Sequence, residues 1–180
     1  MCIRDSSEGL YKNTFIGRTF IMPGQAQRKK SVKYKLVPQE LEIRDKKVMI
    51  LDDSIVRGNT SREIVRMLKD FGAKEVYFTV ACPPVKSPCF YGVDMPTKKE
   101  LIAGNMDEGE IEKYLEVDAL LYQTIDDLVE AVTRRGNHHI DRPCMACLDG
   151  LYVANDIDNE KIVEMENMRS QDRNKSFLQK

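Results

Sequence analysis

Two adjacent carboxylates, Asp52 and Asp53, stand where an apolar run (Val48, Met49, Ile50, Leu51) gives way to a glycine-containing loop. The loop continues through Ser54, Ile55, Val56, Arg57 and Gly58 into Asn59, Thr60 and Ser61. A carboxylate accepts hydrogen bonds and is a hard oxygen ligand, so the acidic pair suits hydroxyl groups and a divalent cation. It repels a phosphate. The loop does the opposite. Gly58 allows a positive φ and a close backbone approach. Amides at a helix start present N–H groups and positive partial charge to an anion. Asn59, Thr60 and Ser61 add polar side chains there. A phosphorylated sugar satisfies both halves: hydroxyls and cation at the aspartates, phosphate at the loop. An ordinary strand-to-helix turn with an Asp-rich cap is the bland alternative, and Asp-Asp alone does not separate the two.

Two further groups could do chemistry. Arg28, Lys29, Lys30, Lys33 and Lys35 crowd a short stretch. Such a run is often a solvated face or a nucleic-acid patch, but it also suits a flap closing over a pyrophosphate, which carries several negative charges. The second group is Cys144-Met145-Ala146-Cys147, with His138 and His139 just upstream. Cys-x-x-Cys holds a metal or forms a redox disulfide, and with two histidines nearby the spacing alone suits zinc. Cys89 lies in a Pro-Cys-Phe-Tyr-Gly context, and Cys82 precedes two prolines.

The elements that must position these residues follow from periodicity. Val48–Leu51 reads as a buried parallel strand. Ile64, Val65, Leu68 and Phe71 give a helical stripe beginning near Ser61 and stopped by Gly72. Val76–Ala81 is a second strand. Strand, helix, strand makes a βαβ unit with a right-handed crossover, and ligands then bind at the carboxyl ends of the strands, where the aspartates stand. Phe15, Ile16, Phe20, Ile21 and Met22 suit a strand before the Pro23-Gly24 turn, whereas Leu36–Ile43 alternates poorly and carries Pro38. The prolines and glycine between Cys82 and Pro96 exclude a long element. A short helix is expected at Thr97–Leu101 and a longer one at Asp107–Leu115 with Ile111 and Leu115 inward. A strand follows at Ala119–Tyr122, then a helix capped by Thr124 and Asp127 with Leu128, Val129 and Val132 inward. Lys161–Met165 suits a helical turn.

The totals agree with one α/β domain. The chain has 180 residues, 42% hydrophobic and 32% charged, with net charge −1, so no global field favours nucleic acid or a membrane surface. No apolar run approaches the ~18 residues of a membrane span, and no signal-type segment opens the chain. A cytoplasmic location follows as an expectation, and there its five cysteines read as thiols or metal ligands rather than disulfides.

The block Asp-Asp-Ser-Ile-Val-Arg-Gly-Asn-Thr resembles the signature that binds 5-phosphoribosyl-1-pyrophosphate (PRPP) in type I phosphoribosyltransferases. Its opening seven residues are similar to those of the glutamine PRPP amidotransferase family. The resemblance runs from Glu8 to Val153. It implies a type I phosphoribosyltransferase-like parallel sheet flanked by helices, N-terminally incomplete. It also implies that Asp52 and Asp53 hold the ribose hydroxyls and the Mg²⁺ environment. Ser54, Val56, Arg57, Gly58, Asn59, Thr60 and Ser61 would then line the PRPP site, the stretch from Val56 gripping its 5-phosphate. Lys12, Arg18, Thr19, Gln25 and Lys35 are placed by the resemblance near PRPP under a closing flap, Arg18 among the catalytic positions. One class of the family carries a 4Fe–4S cluster, and Cys89, Cys144 and Cys147 match three of its ligand contexts. The fourth family ligand lies upstream of the matching sequence, and Cys82 matches none.

The activity so implied is transfer of glutamine-derived ammonia to PRPP, giving 5-phosphoribosylamine, pyrophosphate and glutamate, the first step of purine synthesis. Purine nucleotides as feedback inhibitors and a homo-oligomeric intact enzyme are further implications. The division expected is residues 1–7 as an out-of-pattern leader, 8–153 as a partial phosphoribosyltransferase domain, and 154–180 as a charged tail. Cys2 is followed by Ile3-Arg4-Asp5 rather than the family's Gly-Ile and glutaminase domain, so it is read as unrelated to the glutaminase nucleophile. The chain is thus expected to be a fragment. A nucleobase salvage phosphoribosyltransferase and a non-catalytic PRPP or nucleotide sensor are the rival readings.

Overall fold

Parallel strands that follow one another in sequence and in space have their crossover helices on one side, and that arrangement governs this structure. The computed structural model describes residues 8–13, 36–93, 95–134, 142–154, 157, 160–164 and 167–168. They fall into two compact units. One takes in the described residues of Met1–Leu51, Gly58–Thr79 and Gly109–Leu121, the other those of Asp52–Arg57, Val80–Glu108 and Tyr122–Lys180.

In the first unit, strand β1 (Leu10–Lys12) pairs antiparallel with β2 (Leu36–Pro38), Tyr11 lying opposite Val37. A one-turn helix α1 (Glu40–Ile43) follows and buries Ile43. Neither β2 nor α1 was legible in the poor alternation of Leu36–Ile43. Pro38 is tolerated because it ends a short edge strand, where no ladder donor is required. The strand expected around Phe15–Met22 lies outside the described residues.

Strands β3 (Lys47–Asp52), β4 (Glu75–Val80) and β5 (Ala119–Tyr122) form a sheet in that order. Lys46 O accepts from Lys74 N and Asp52 O from Ala81 N. Val76 O accepts from Asp118 N and Val80 O from Gln123 N. Partners rise together along both ladders, so the sheet is parallel. Helix α2 (Asn59–Asp70) joins β3 to β4, and α3 (Glu108–Leu115) precedes β5. Helix α2 starts two residues before Ser61 because Gly58, at φ 73°, turns the chain directly into it. It ends as expected at Gly72, φ 86°, where Gly72 N and Ala73 N satisfy the carbonyls of Lys69 and Leu68.

Right-handed crossovers between consecutive strands place α2 and α3 on the same face. Side chains of Asn59, Arg62 and Arg66 on α2 accordingly meet Tyr114 and Glu116 at the end of α3. Beneath them Val65, Val76, Phe78, Ile111 and Leu115 are fully buried, each stabilising the fold by roughly 1.5–3 kcal/mol. The other face is different. There Lys47 pairs with Glu75 at 2.8 Å. Met49 and Leu51 follow the same alternation and are 50% and 72% exposed. The expectation of a strand buried on both sides is corrected here: with both helices on one face, nothing among the described residues encloses these two side chains.

The second unit is built on Val85, Leu101, Met145 and Leu148, with Val56, Cys82, Met95 and Cys147 packed against them. Helix α4 (Ile125–Thr133) lays Ile125, Leu128 and Val129 on this core. Its cap is the expected one, Asp127 N donating to Thr124 Oγ1 at 3.1 Å. Val132 was expected inward and is exposed, because it stands one turn beyond the small cluster. The helix expected at Thr97–Leu101 is a pair of 3₁₀ turns, Lys98–Glu100 and Ile102–Gly104. Helix α5 (Ala146–Asp149) carries Cys147 and ends at Gly150. Residues 160–164 are helical. Among the described residues no helix is long and apolar enough to cross a membrane.

Candidate functional site

Asp52 closes β3 and is half-buried. Its Oδ1 accepts from Asp53 N at 3.0 Å. Burial pushes the Asp52 carboxyl above its ordinary value; the Asp53 N–H opposes this and the Asp53 charge adds to it. Asp53 is exposed, and its Oδ1 accepts from Ser54 Oγ at 3.1 Å. The two carboxylates therefore differ: one is drawn into the fold, the other faces solvent. The next residues fasten the loop. Ile55 is 2% exposed, Val56 O accepts from Ile102 N at 2.9 Å, and Arg57 Nε donates to Glu100 Oε1 at 3.0 Å. Glu100 in turn receives Thr97 N and Thr97 Oγ1 on Oε2. Arg57 is thus held by a carboxylate, and Glu100 was not visible in the motif.

From Gly58 the chain belongs to the first unit. Gly58 is buried at φ 73°, ψ −12°, a left-handed conformation that favours glycine. No side chain caps the helix that follows, and its first turn holds no acidic residue. The orphan amides of that turn and its positive dipole end are consequently not neutralised from within the helix. Ser61 is buried, Thr60 exposed. Asn59 Oδ1 accepts from Tyr114 Oη at 3.0 Å. The Arg62 guanidinium lies 4.5 Å from the Tyr114 ring centroid. Arg62 and Arg66 both donate to Glu116 Oε1, at 2.7 and 2.6 Å. Hydrogen bonds from Arg66 and then Arg62 hold the Glu116 carboxyl down at about 2. Glu116 itself sits at φ 63°. Tyr114 and Glu116 escaped the sequence reading; the one signal was Arg62 and Arg66, four apart on one helical face and so able to share a counter-ion.

Lys12 is exposed on β1, and no hydrogen bond or ion pair among the described residues joins it to the loop. Arg18, Thr19, Gln25 and Lys35, with His138 and His139, lie outside the described residues.

None of the described cysteines is in a disulfide: Cys82, Cys89 and Cys147 are half-buried and Cys144 is exposed. Lys86 N and Ser87 N both donate to Cys147 O, at 2.9 and 3.0 Å, tying the Cys82–Cys89 loop to α5. Tyr91 N donates to Cys89 Sγ at 3.4 Å. Burial pushes the Cys147 thiol up, with the fields of Cys89 and Cys144 adding to it; burial does the same for Cys82. Among the described residues no three His, Cys, Asp or Glu side chains form a set able to hold a metal ion. The donor chemistry of Cys89, Cys144 and Cys147 suits iron and sulfide, but they would have to close around a group larger than one ion. At the carboxyl end of β5, the Tyr122 hydroxyl is buried without a partner among the described residues, and burial raises its pKa.

The parallel sheet, with Asp52 ending its first strand, Asp53 next and a glycine turn into an uncapped helix, has the type I phosphoribosyltransferase fold of the solved structures that it matches. Comparison with solved structures agrees. Over 84% of this chain and 33% of the other, it matches glutamine PRPP amidotransferase of B. subtilis complexed with ADP and GMP, with TM-score 0.69 and 40% identity. No family model matches. The chain is homologous to the C-terminal part of the amidophosphoribosyltransferases. It is 48% identical over 163 residues to that of Pseudomonas aeruginosa and 42% identical over 165 residues to that of Escherichia coli, covering 91% and 92% of this chain. The chain spans about a third of the length of these relatives, 32% of each.

Proposed function

We propose that this chain supplies the PRPP-binding part of an amidophosphoribosyltransferase, in which ammonia released from glutamine displaces pyrophosphate from PRPP to give 5-phosphoribosylamine and glutamate. The observation that carries the reading is the uncapped, acid-free start of α2 directly after Gly58, six residues beyond the strand-end Asp52. In this reading the loop from Val56 to Ser61 takes the 5-phosphate. Asp52 and Asp53, with the Ser54 hydroxyl bracing Asp53, accept hydrogen bonds from the ribose hydroxyls and hold Mg²⁺. The bound cation supplies charge neutralisation for the leaving pyrophosphate. An oxocarbenium-like centre develops as that group departs, so the protein acts by positioning and by fixed charge. Arg57, fastened to Glu100, steadies the loop backbone. Lys12, Arg18, Thr19, Gln25 and Lys35 contribute from a flap that keeps water out.

Cys89, Cys144 and Cys147 would supply three of the thiolates of a 4Fe–4S group in this proposal, and no step of the transfer passes through it. Residues 8–153 are the phosphoribosyltransferase part, 1–7 a leader and 154–180 a tail. Purine nucleotides compete through their phosphate at the same loop, and the intact protein works as a homo-oligomer in the cytoplasm. The test is PRPP binding by the chain with Mg²⁺, followed by PRPP- and ammonia-dependent pyrophosphate release. Turnover that requires a nucleobase instead of ammonia would overturn the reading in favour of salvage, and failure to bind PRPP would overturn it outright.

A further inference from the structure

We infer that Tyr114 is a positioning residue for the phosphate loop, acting through Asn59; the inference rests on the reading of that loop as a PRPP site. Asn59 is the first residue of α2, immediately after Gly58. A side-chain amide has two unlike ends: the oxygen only accepts and the NH₂ only donates. Tyr114 Oη donates to Asn59 Oδ1 at 3.0 Å, so the accepting end is taken by the protein. In that orientation the NH₂ is the end left for a ligand, and a bound anion selects it, because the Tyr114 hydroxyl donates as readily as it accepts. An anion needs donors. Without the tyrosine hydroxyl the amide could present its oxygen to a phosphate, which is repulsive.

Tyr114 is itself held. Its ring lies under the Arg62 guanidinium at 4.5 Å, a cation–π arrangement. Arg62 is pinned with Arg66 on Glu116 Oε1. The chain of contacts runs from Glu116 through Arg62 to Tyr114 and Asn59. All four residues belong to one compact unit. None of the three behind Asn59 lies in the Asp52–Ser61 motif.

The test compares the unsubstituted chain with Tyr114→Phe, which keeps the ring over Arg62 and removes only the hydroxyl. Titration calorimetry with PRPP, ribose 5-phosphate and unphosphorylated ribose, each with Mg²⁺, reads the effect, and a melting curve is recorded for each protein. Loss of one oriented hydrogen bond predicts about three- to ten-fold weaker binding of the two phosphorylated ligands. The affinity for ribose should be unchanged. In an Asn59→Ala background, Tyr114→Phe should add nothing, since its target is gone. Equal phosphate affinity in Tyr114→Phe and the unsubstituted chain overturns the inference while leaving the PRPP site standing. So does an effect that persists undiminished without Asn59, or one confined to the melting curve. No PRPP binding by the unsubstituted chain overturns both.

Discussion

The loop from Asp52 to Ser61 and the three cysteines at 89, 144 and 147 are two candidate sites of opposite construction. The first is one uninterrupted run of chain, and its geometry is local: a strand end, a left-handed glycine and a helix start. The second needs two segments more than fifty residues apart to meet. Backbone bonds from Lys86 and Ser87 to Cys147 O do bring the segments together, yet the thiols form no ion-holding set among the described residues. A site made by local backbone geometry exists before its ligand arrives. A thiol set contributed by separate segments depends on those segments being brought together, and its binding is coupled to deprotonation.

Four experiments break or sharpen that contrast. The largest effect is expected from Asp52→Asn with Asp53→Asn. Removing two charged acceptors should weaken PRPP binding by more than about a hundred-fold with little change in circular dichroism; retained affinity would mean that the carboxylates are ordinary caps. Next, Cys89→Ser should leave PRPP affinity intact, because that thiol belongs to the second site alone. A loss of PRPP affinity on removing it would erase the distinction between the sites. Gly58→Ala forces a Cβ into a left-handed position and should cost about 1–2 kcal/mol of stability, read by urea unfolding. An unchanged midpoint would show that the turn relaxes freely.

The smallest effect concerns pH. Glu116 is held at about 2 against an ordinary 4.5. A carboxyl lowered in the folded state stabilises above its unfolded value, and that contribution fades as pH falls from about 4.5 to about 2. Glu116→Gln should therefore flatten the stability profile between those limits and leave the profile above pH 5 parallel to the original. A variant that still loses stability over the same window would exonerate the Arg62–Arg66–Glu116 cluster.

What the sequence disclosed divides along the same line. Periodicity located β3, α2, β4, α3, β5 and the Thr124 cap because each is dictated by residues within a few positions of one another. Gly58 and Gly72 were readable as turns for the same reason. The pairing of Arg57 with Glu100, 43 residues on, was not, because a long-range ion pair leaves no trace in spacing. Nor was Tyr114 under Arg62, which depends on two crossovers landing on one face. The same topology defeated the expectation for Met49 and Leu51: an apolar run announces a strand, but strand order decides which of its sides is covered. Leu36–Ile43 was missed because a three-residue strand is too short for alternation to register.

That one-sided topology also bears on how the molecule must be handled. Leu51 offers 72% and Met49 50% of its surface to water on a flat ribbon that also carries Lys47 and Glu75. An exposed apolar pair on a sheet face is the kind of patch through which copies associate as concentration rises. Replacing Leu51 by lysine would break that apolar pair, at a position next to Asp52 in sequence but on the opposite face of the strand.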